Sequence, residues 1–203
     1  DAGFTVTAIT AANPLNLHQL DELRCELHRL GVKRWQVQPM FSLGRSKQNQ
    51  DLELTFDGYL ELCRFVERNR ESEDGMRVFA ADGIGYCAEP DLTNEGWTGC
   101  GAGITSCGIM SDGRVKGCLS WPDWAVEGNL RERPFWDLWF DPEAFPYSRQ
   151  FDTSQLCGTC AGCARGEECK GGCSAISLAM TGRFHADPYC YRALVSPAVG
   201  ELV

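Results

Sequence analysis

Nine of the twelve cysteines fall between Cys100 and Cys190, and five of those crowd into the stretch from Cys157 to Cys173. The segment 157–174 (CGTCAGCARGEECKGGCS) has too few apolar side chains to order itself by burial. Something else must hold it, and a bound metal centre would do so. Dense cysteines mark disulfide frameworks in small secreted domains. Here a sizeable cysteine-poor half precedes them, and residues 1–20 show no basic start and apolar run of a secretory leader. Close C-x2-C spacing in such a chain reads as a metal site.

The first part has the periodicities of an α/β fold. Residues 3–12 (GFTVTAITAA) have the composition of a strand. Asn16 with Gln19 suggests a capping box, Leu20, Leu23, Leu27 and Leu30 follow at helical spacing, and Gly31 closes the run. Residues 33–40 (KRWQVQPM) read as a second strand, 41–53 as a polar loop with a turn at Gly44-Arg45, and 56–70 as an amphipathic helix through Tyr59, Leu62, Cys63 and Val66. Residues 76–81 (MRVFAA) make a third strand. Strand–helix–strand–helix–strand with short links implies parallel strands with crossover helices. Three strands cannot close a barrel. Because the first residue is Asp1, we expect the numbering to begin inside a longer protein.

From about residue 87 the periodicity fades. Residues 104–119 suggest a hairpin whose two-residue turn is Asp112-Gly113, and 131–139 a short helix with aromatic anchors. That turn would pair Ser111 with Arg114 and set Cys107 opposite Cys118, with β-carbons about 5 Å apart. The two could reach one metal centre or form a disulfide. The strongest motif is Cys160-x2-Cys163-x5-Cys169-x3-Cys173, with Cys190 beyond it. Its thiolates suit iron–sulfur clusters or tetrahedral zinc, and spacing alone does not separate them. Cys157 forms a further C-x2-C with Cys160; we take Cys160 as the first ligand because it opens the longer ordered pattern.

A net charge of −9 with scattered basic residues argues against a nucleic-acid partner, and no apolar run approaches a membrane span.

The stretch Cys100-Gly-Ala-Gly103, Ile109, Asp112-Gly113-Arg114-Val115, Cys118, Gly128-Asn129-Leu130, Leu138-Trp139 and Cys160…Cys163…Cys169-Lys-Gly-Gly-Cys173…Cys190 resembles the SPASM domain, the C-terminal extension of radical S-adenosylmethionine (radical SAM) enzymes. Trp35-Gln-Val-Gln-Pro39 and Gly44-Arg45 are similar to a late barrel strand and loop of the same enzymes. The resemblance implies an α/β fold: the C-terminal part of a partial (β/α) barrel over residues 1–90, then a small Cys-rich α+β iron–sulfur domain over 91–203. It implies two auxiliary 4Fe–4S clusters. Cys100, Cys107, Cys118 and Cys173 would hold the first, and Cys160, Cys163, Cys169 and Cys190 the second; Cys107 is the least constrained, since the family's ligand there varies in position. S-adenosylmethionine and a third 4Fe–4S cluster would belong to the full-length enzyme. That cluster's C-x3-C-x2-C triad is not in these 203 residues, so the chain alone is not expected to perform radical chemistry. The family implies a peptide or protein substrate, hydrogen abstraction from it, a ferredoxin or flavodoxin reductant, and the cytoplasm. Related readings are a sulfatase-maturase-like enzyme and, from another class, a non-catalytic electron-transfer or zinc-stabilised binding module.

The remaining residues have plainer expectations. Cys63 lies on an apolar helix face and reads as core, whereas Cys25 and Cys87 read as a surface and a loop thiol. His18 and His28 read as helix-surface residues. His185 lies near Cys190 and is a minor candidate for touching a cluster. Trp121, Trp124, Trp136 and Trp139 read as core anchors. Arg45 reads as a loop residue, with a substrate carboxylate or SAM as its functional alternative.

Overall fold

The computed structural model describes residues 3–72, 74–81, 83–84 and 99–195, and Cys87 lies outside them. The chain divides into two compact units, one of residues 1–97 with 189–203 and one of residues 98–188.

In the first unit, β1 (Thr7–Ala12), β2 (Arg34–Pro39) and β3 (Arg77–Ala80) form a parallel sheet in that order. Thr7 pairs with Arg34 and Arg34 with Arg77. Helices α1 (Leu20–Arg29) and α2 (Phe56–Asn69) make the crossovers. The period-2 pattern of β2 buries Trp35, Val37 and Pro39. The Trp35 indole N–H donates to Thr10 Oγ1 (2.9 Å), and its ring meets Phe65 edge-on. On α2 the Thr55 hydroxyl caps the N-terminus, accepting from Gly58 N, and Tyr59, Leu62, Cys63, Phe65 and Val66 are buried. Burial pushes the Cys63 thiol up to about 12, as suits a core cysteine.

The Asn16 capping box does not form. Asn16 Oδ1 accepts from Asn13 N (2.9 Å) and its amide donates to Ala11 O (3.1 Å), so the side chain closes the preceding turn and α1 starts at Leu20. The leucine stripe of α1 buries Leu20 and leaves Leu30 exposed. Cys25 is exposed, as are His18 and His28, the latter 3.6 Å from the Asp74 carboxylate. Gly44–Gln48 is a 3-10 turn; the Arg45 side chain lies outside the described residues.

The chain returns to this unit at Tyr189. Its ring lies 4.9–5.2 Å from those of Phe41, Phe56 and Tyr59, and its hydroxyl donates to Leu54 O (3.0 Å). Helix α7 (Tyr191–Val195) follows and packs on α2.

The second unit holds an antiparallel sheet of β4 (Gly108–Ile109), β5 (Arg114–Lys116) and β6 (Val126–Asn129), in that order. Four short helices follow: α3 (Phe135–Trp139), α4 (Pro146–Arg149), α5 (Gly166–Cys169) and α6 (Ser174–Thr181). Helix α3 starts after Pro134, so residues 131–134 stay outside it. Of the four tryptophans expected as anchors, Trp121 is buried and Trp139 half-buried, but Trp124 and Trp136 are 66% and 62% exposed.

The turn between β4 and β5 has three residues rather than two. Met110 N donates to Arg114 O (2.8 Å) and Gly113 N to Met110 O (2.9 Å), with Gly113 at φ +91°. Asp112-Gly113 is thus a turn with a left-handed third residue. Gly108 pairs with Lys116, which sets Cys107 opposite Gly117 instead of Cys118. A slip of one residue turns a side chain to the other face, so the observed register does not pair these two thiols across the hairpin.

Among the described residues no helix is long and apolar enough to cross a membrane.

Candidate metal centre

Two small cores organise the second unit, and they separate the cysteines. Ala102, Trp121, Ala125 and Ala175 form the first, with Cys100, Cys118, Cys173, Leu178 and Phe184 packed on it. Val115, Leu138, Ala144 and Phe145 form the second, with Cys107, Leu130 and Trp139 packed on it. Tyr147 borders both. Three of the four thiols expected at one cluster therefore share a core, and Cys107 stands on the neighbouring one. Burial raises the Cys107 thiol while the Arg149 guanidinium opposes this.

Cys173 is the most constrained of the three. It stands at the N-cap position of α6, where the nearby backbone N–H groups of Ile176 and Ala175 favour the thiolate. Burial outweighs them, and with the nearby charges of Asp187 and Cys100 it pushes the thiol up to about 12. A bound metal would reverse that balance, because coordination keeps a thiol deprotonated.

Asp187 ties the cysteine-rich loops together. It is fully buried; its Oδ2 accepts from Cys173 N (3.2 Å), its carbonyl from Thr159 Oγ1 (3.0 Å) and Cys160 Sγ (3.9 Å). Its own N–H reaches Gly171 O (3.4 Å). Sequence reasoning missed this residue; the signal was an acidic residue before Pro188, three positions ahead of Cys190.

Between Cys160 and Cys173 the chain runs in consecutive turns, Cys163 N donating to Cys160 O, Gly166 N to Cys163 O and Cys169 N to Arg165 O. Cys160 and Cys169 are buried and Cys163 is exposed. Cys157 Sγ donates to Phe184 O (3.7 Å). Cys190 belongs to the first unit.

His185 is structural. Its Nδ1 faces Lys170 O (2.6 Å) and its Nε2 faces Tyr147 O (3.0 Å), so neither nitrogen turns to a thiol. A β-carbon on Gly171, at φ +80°, would lie 2.4 Å from His185 Cα. Gly171→Ala is therefore expected to destabilise this unit by about 2–5 kcal/mol, from left-handed strain and overpacking together. Urea unfolding followed by circular dichroism checks this; a loss below about 1 kcal/mol would refute it.

The donor set fits an iron–sulfur group. None of the described cysteines is in a disulfide. Three thiols pack on one core, one of them at the N-cap position of a helix, and the Nε1 of Trp121 in that core is buried without a hydrogen-bond partner. Among the described residues no three His, Cys, Asp or Glu side chains gather as ligands of a single ion.

Comparison with known proteins gives the same picture. Residues 100–164 match the SPASM iron–sulfur cluster-binding domain. An AdoMet-dependent heme synthase of Methanosarcina barkeri is 37% identical over 203 residues, covering 93% of this chain and 56% of that protein. A mycofactocin maturase of Mycolicibacterium smegmatis is 29% identical over 213 residues, covering 98% and 50%. The chain thus spans about half the length of the curated relatives it matches. The solved structure of native anSMEcpe with bound AdoMet and Kp18Cys peptide superposes with a TM-score of 0.60 at 18% identity, over 90% of this chain and 51% of that one. At that identity the likeness speaks for the fold alone.

Proposed function

The chain belongs with the radical SAM/SPASM enzymes, its SPASM domain lying over residues 100–164, and from that premise we propose that it is the C-terminal portion of a maturase that modifies a peptide or protein. We assign it two auxiliary 4Fe–4S clusters that handle electrons or help bind the substrate. Residues 1–90 are read as the end of a partial (β/α) barrel and 91–203 as the cluster domain. The observation that carries this reading is the gathering of Cys100, Cys118 and Cys173 on one small core.

When bound, iron–sulfur clusters supply one-electron chemistry, their potential set by burial and by hydrogen bonds to sulfur. Cys100, Cys118 and Cys173 would hold the first; the family resemblance adds Cys107 as a fourth, and its place on the neighbouring core makes it the least needed of the four. Cys160, Cys163 and Cys169 would hold the second, with Cys190 carried over as the fourth ligand. The α6 amides support the Cys173 thiolate, and Asp187 keeps the Thr159–Cys160 and Cys173 loops in register through Thr159 Oγ1 and Cys173 N. In the whole protein, hydrogen abstraction from the substrate, S-adenosylmethionine, a third cluster and a ferredoxin or flavodoxin reductant complete this proposal, with the cytoplasm as its setting.

Anaerobic purification followed by iron, sulfide and zinc analysis tests it. About eight irons and eight sulfides per chain are expected for two four-iron clusters. Zinc without sulfide would replace the reading with a zinc-stabilised module.

A further inference from the structure

Trp121 is 2% exposed, and its Nε1 is buried with no hydrogen-bond partner. Indole nitrogen is a donor only, and a buried unsatisfied donor costs about 1–3 kcal/mol. The ring is not there by loose packing. The Trp121 main-chain N–H donates to Cys118 O (3.1 Å), and its carbonyl accepts from the buried Lys116 Nζ (2.5 Å). Tyr147 and Phe184 meet the ring edge-on, with centroids 4.3 and 5.2 Å away. Its six-membered edge faces Gly117: a β-carbon there would lie 2.4 Å from Cζ3 and 2.8 Å from Cη2. Nε1 therefore sits at the opposite end of the indole. The side chains packed on this core include the three thiols Cys100, Cys118 and Cys173.

We propose that Trp121 donates its indole N–H to a sulfur of the cluster held by Cys100, Cys118 and Cys173, and so acts as a positioning residue that sets that cluster's potential. The assignment rests on the cluster reading above. A donor to cluster sulfur stabilises the added negative charge of the reduced state, which raises the potential. Lys116, by holding the Trp121 carbonyl, keeps the donor in place.

The test uses the anaerobically reconstituted chain and Trp121→Phe, which keeps an aromatic ring and removes the donor. The variant is expected to bind iron and sulfide as the parent does. The midpoint potential of one cluster should move to a more negative value and that of the other should stay. A second measurement does not depend on the variant: with 15N-indole tryptophan, the reduced parent chain should show a nitrogen coupling to one cluster by pulsed electron paramagnetic resonance. An unmoved potential in an iron-replete variant, or no nitrogen coupling in an iron-replete parent, overturns the assignment. A parent chain without iron and sulfide overturns the cluster reading itself, and this assignment with it.

Discussion

Cys173→Ser, reconstituted without oxygen, is expected to lose about four irons per chain, one cluster's complement. Cys107→Ser is expected to lose markedly fewer. Serine preserves the shape at position 173 but replaces a soft thiolate by a hard oxygen, a poor ligand for iron–sulfur clusters. Cys173 also stands at the N-cap position of α6, near the amides of Ile176 and Ala175 and near Cys100. Cys107 lies on the Val115–Phe145 core, one residue out of register with Cys118, so its loss leaves the three gathered thiols in place. Iron and sulfide analysis of both variants decides it. Equal losses would mean that Cys107 is as necessary to the cluster as Cys173, and no loss at Cys173→Ser would sink the assignment of the site.

The second large effect concerns the other unit. Trp35→Ala should destabilise the parallel-sheet unit by about 3–5 kcal/mol, the usual range for removing a large aromatic side chain from a core. The ring is fully buried on the central strand, packs on Phe65 and donates to Thr10 Oγ1. Against a typical domain stability of about 5–15 kcal/mol, that is a large fraction. Urea titration of the whole chain should show the loss, and a change under about 1 kcal/mol would refute it.

The first unit was legible wherever burial has a simple period. The alternation through Trp35 and Val37 announces β2, and the stripe through Tyr59, Leu62, Cys63 and Val66 announces α2. What escaped depended on competition between local options. Asn16 had a helix to cap and a turn to close, and it closes the turn. Asp112-Gly113 suits a two-residue turn and a three-residue one, and only strand pairing chooses between them. In the second unit the spacing of cysteines suggests a metal site without choosing between iron–sulfur and zinc. It did not show that Cys107 would part from Cys100, Cys118 and Cys173, because two adjoining small cores have no sequence period. Asp187 was hidden for a related reason: its partners come from two separate loops, Thr159 from one and Gly171 and Cys173 from the other. The exposed Trp124 and Trp136 show the limit of inferring burial from residue type.

The return of the chain at Tyr189 has a consequence for biosynthesis. The three rings that receive Tyr189 and the carbonyl that accepts its hydroxyl all lie between Phe41 and Tyr59, whereas Tyr189 is 135 residues beyond Leu54. A ribosome adding residues one by one presents the receiving aromatic pocket long before its occupant. The parallel sheet can collapse early on its own short-range contacts, but its last aromatic contact waits until the whole cysteine-rich segment has emerged. The earlier unit is therefore completed only after the cysteine-rich segment has been made, by Tyr189 and the helix α7 that follows it.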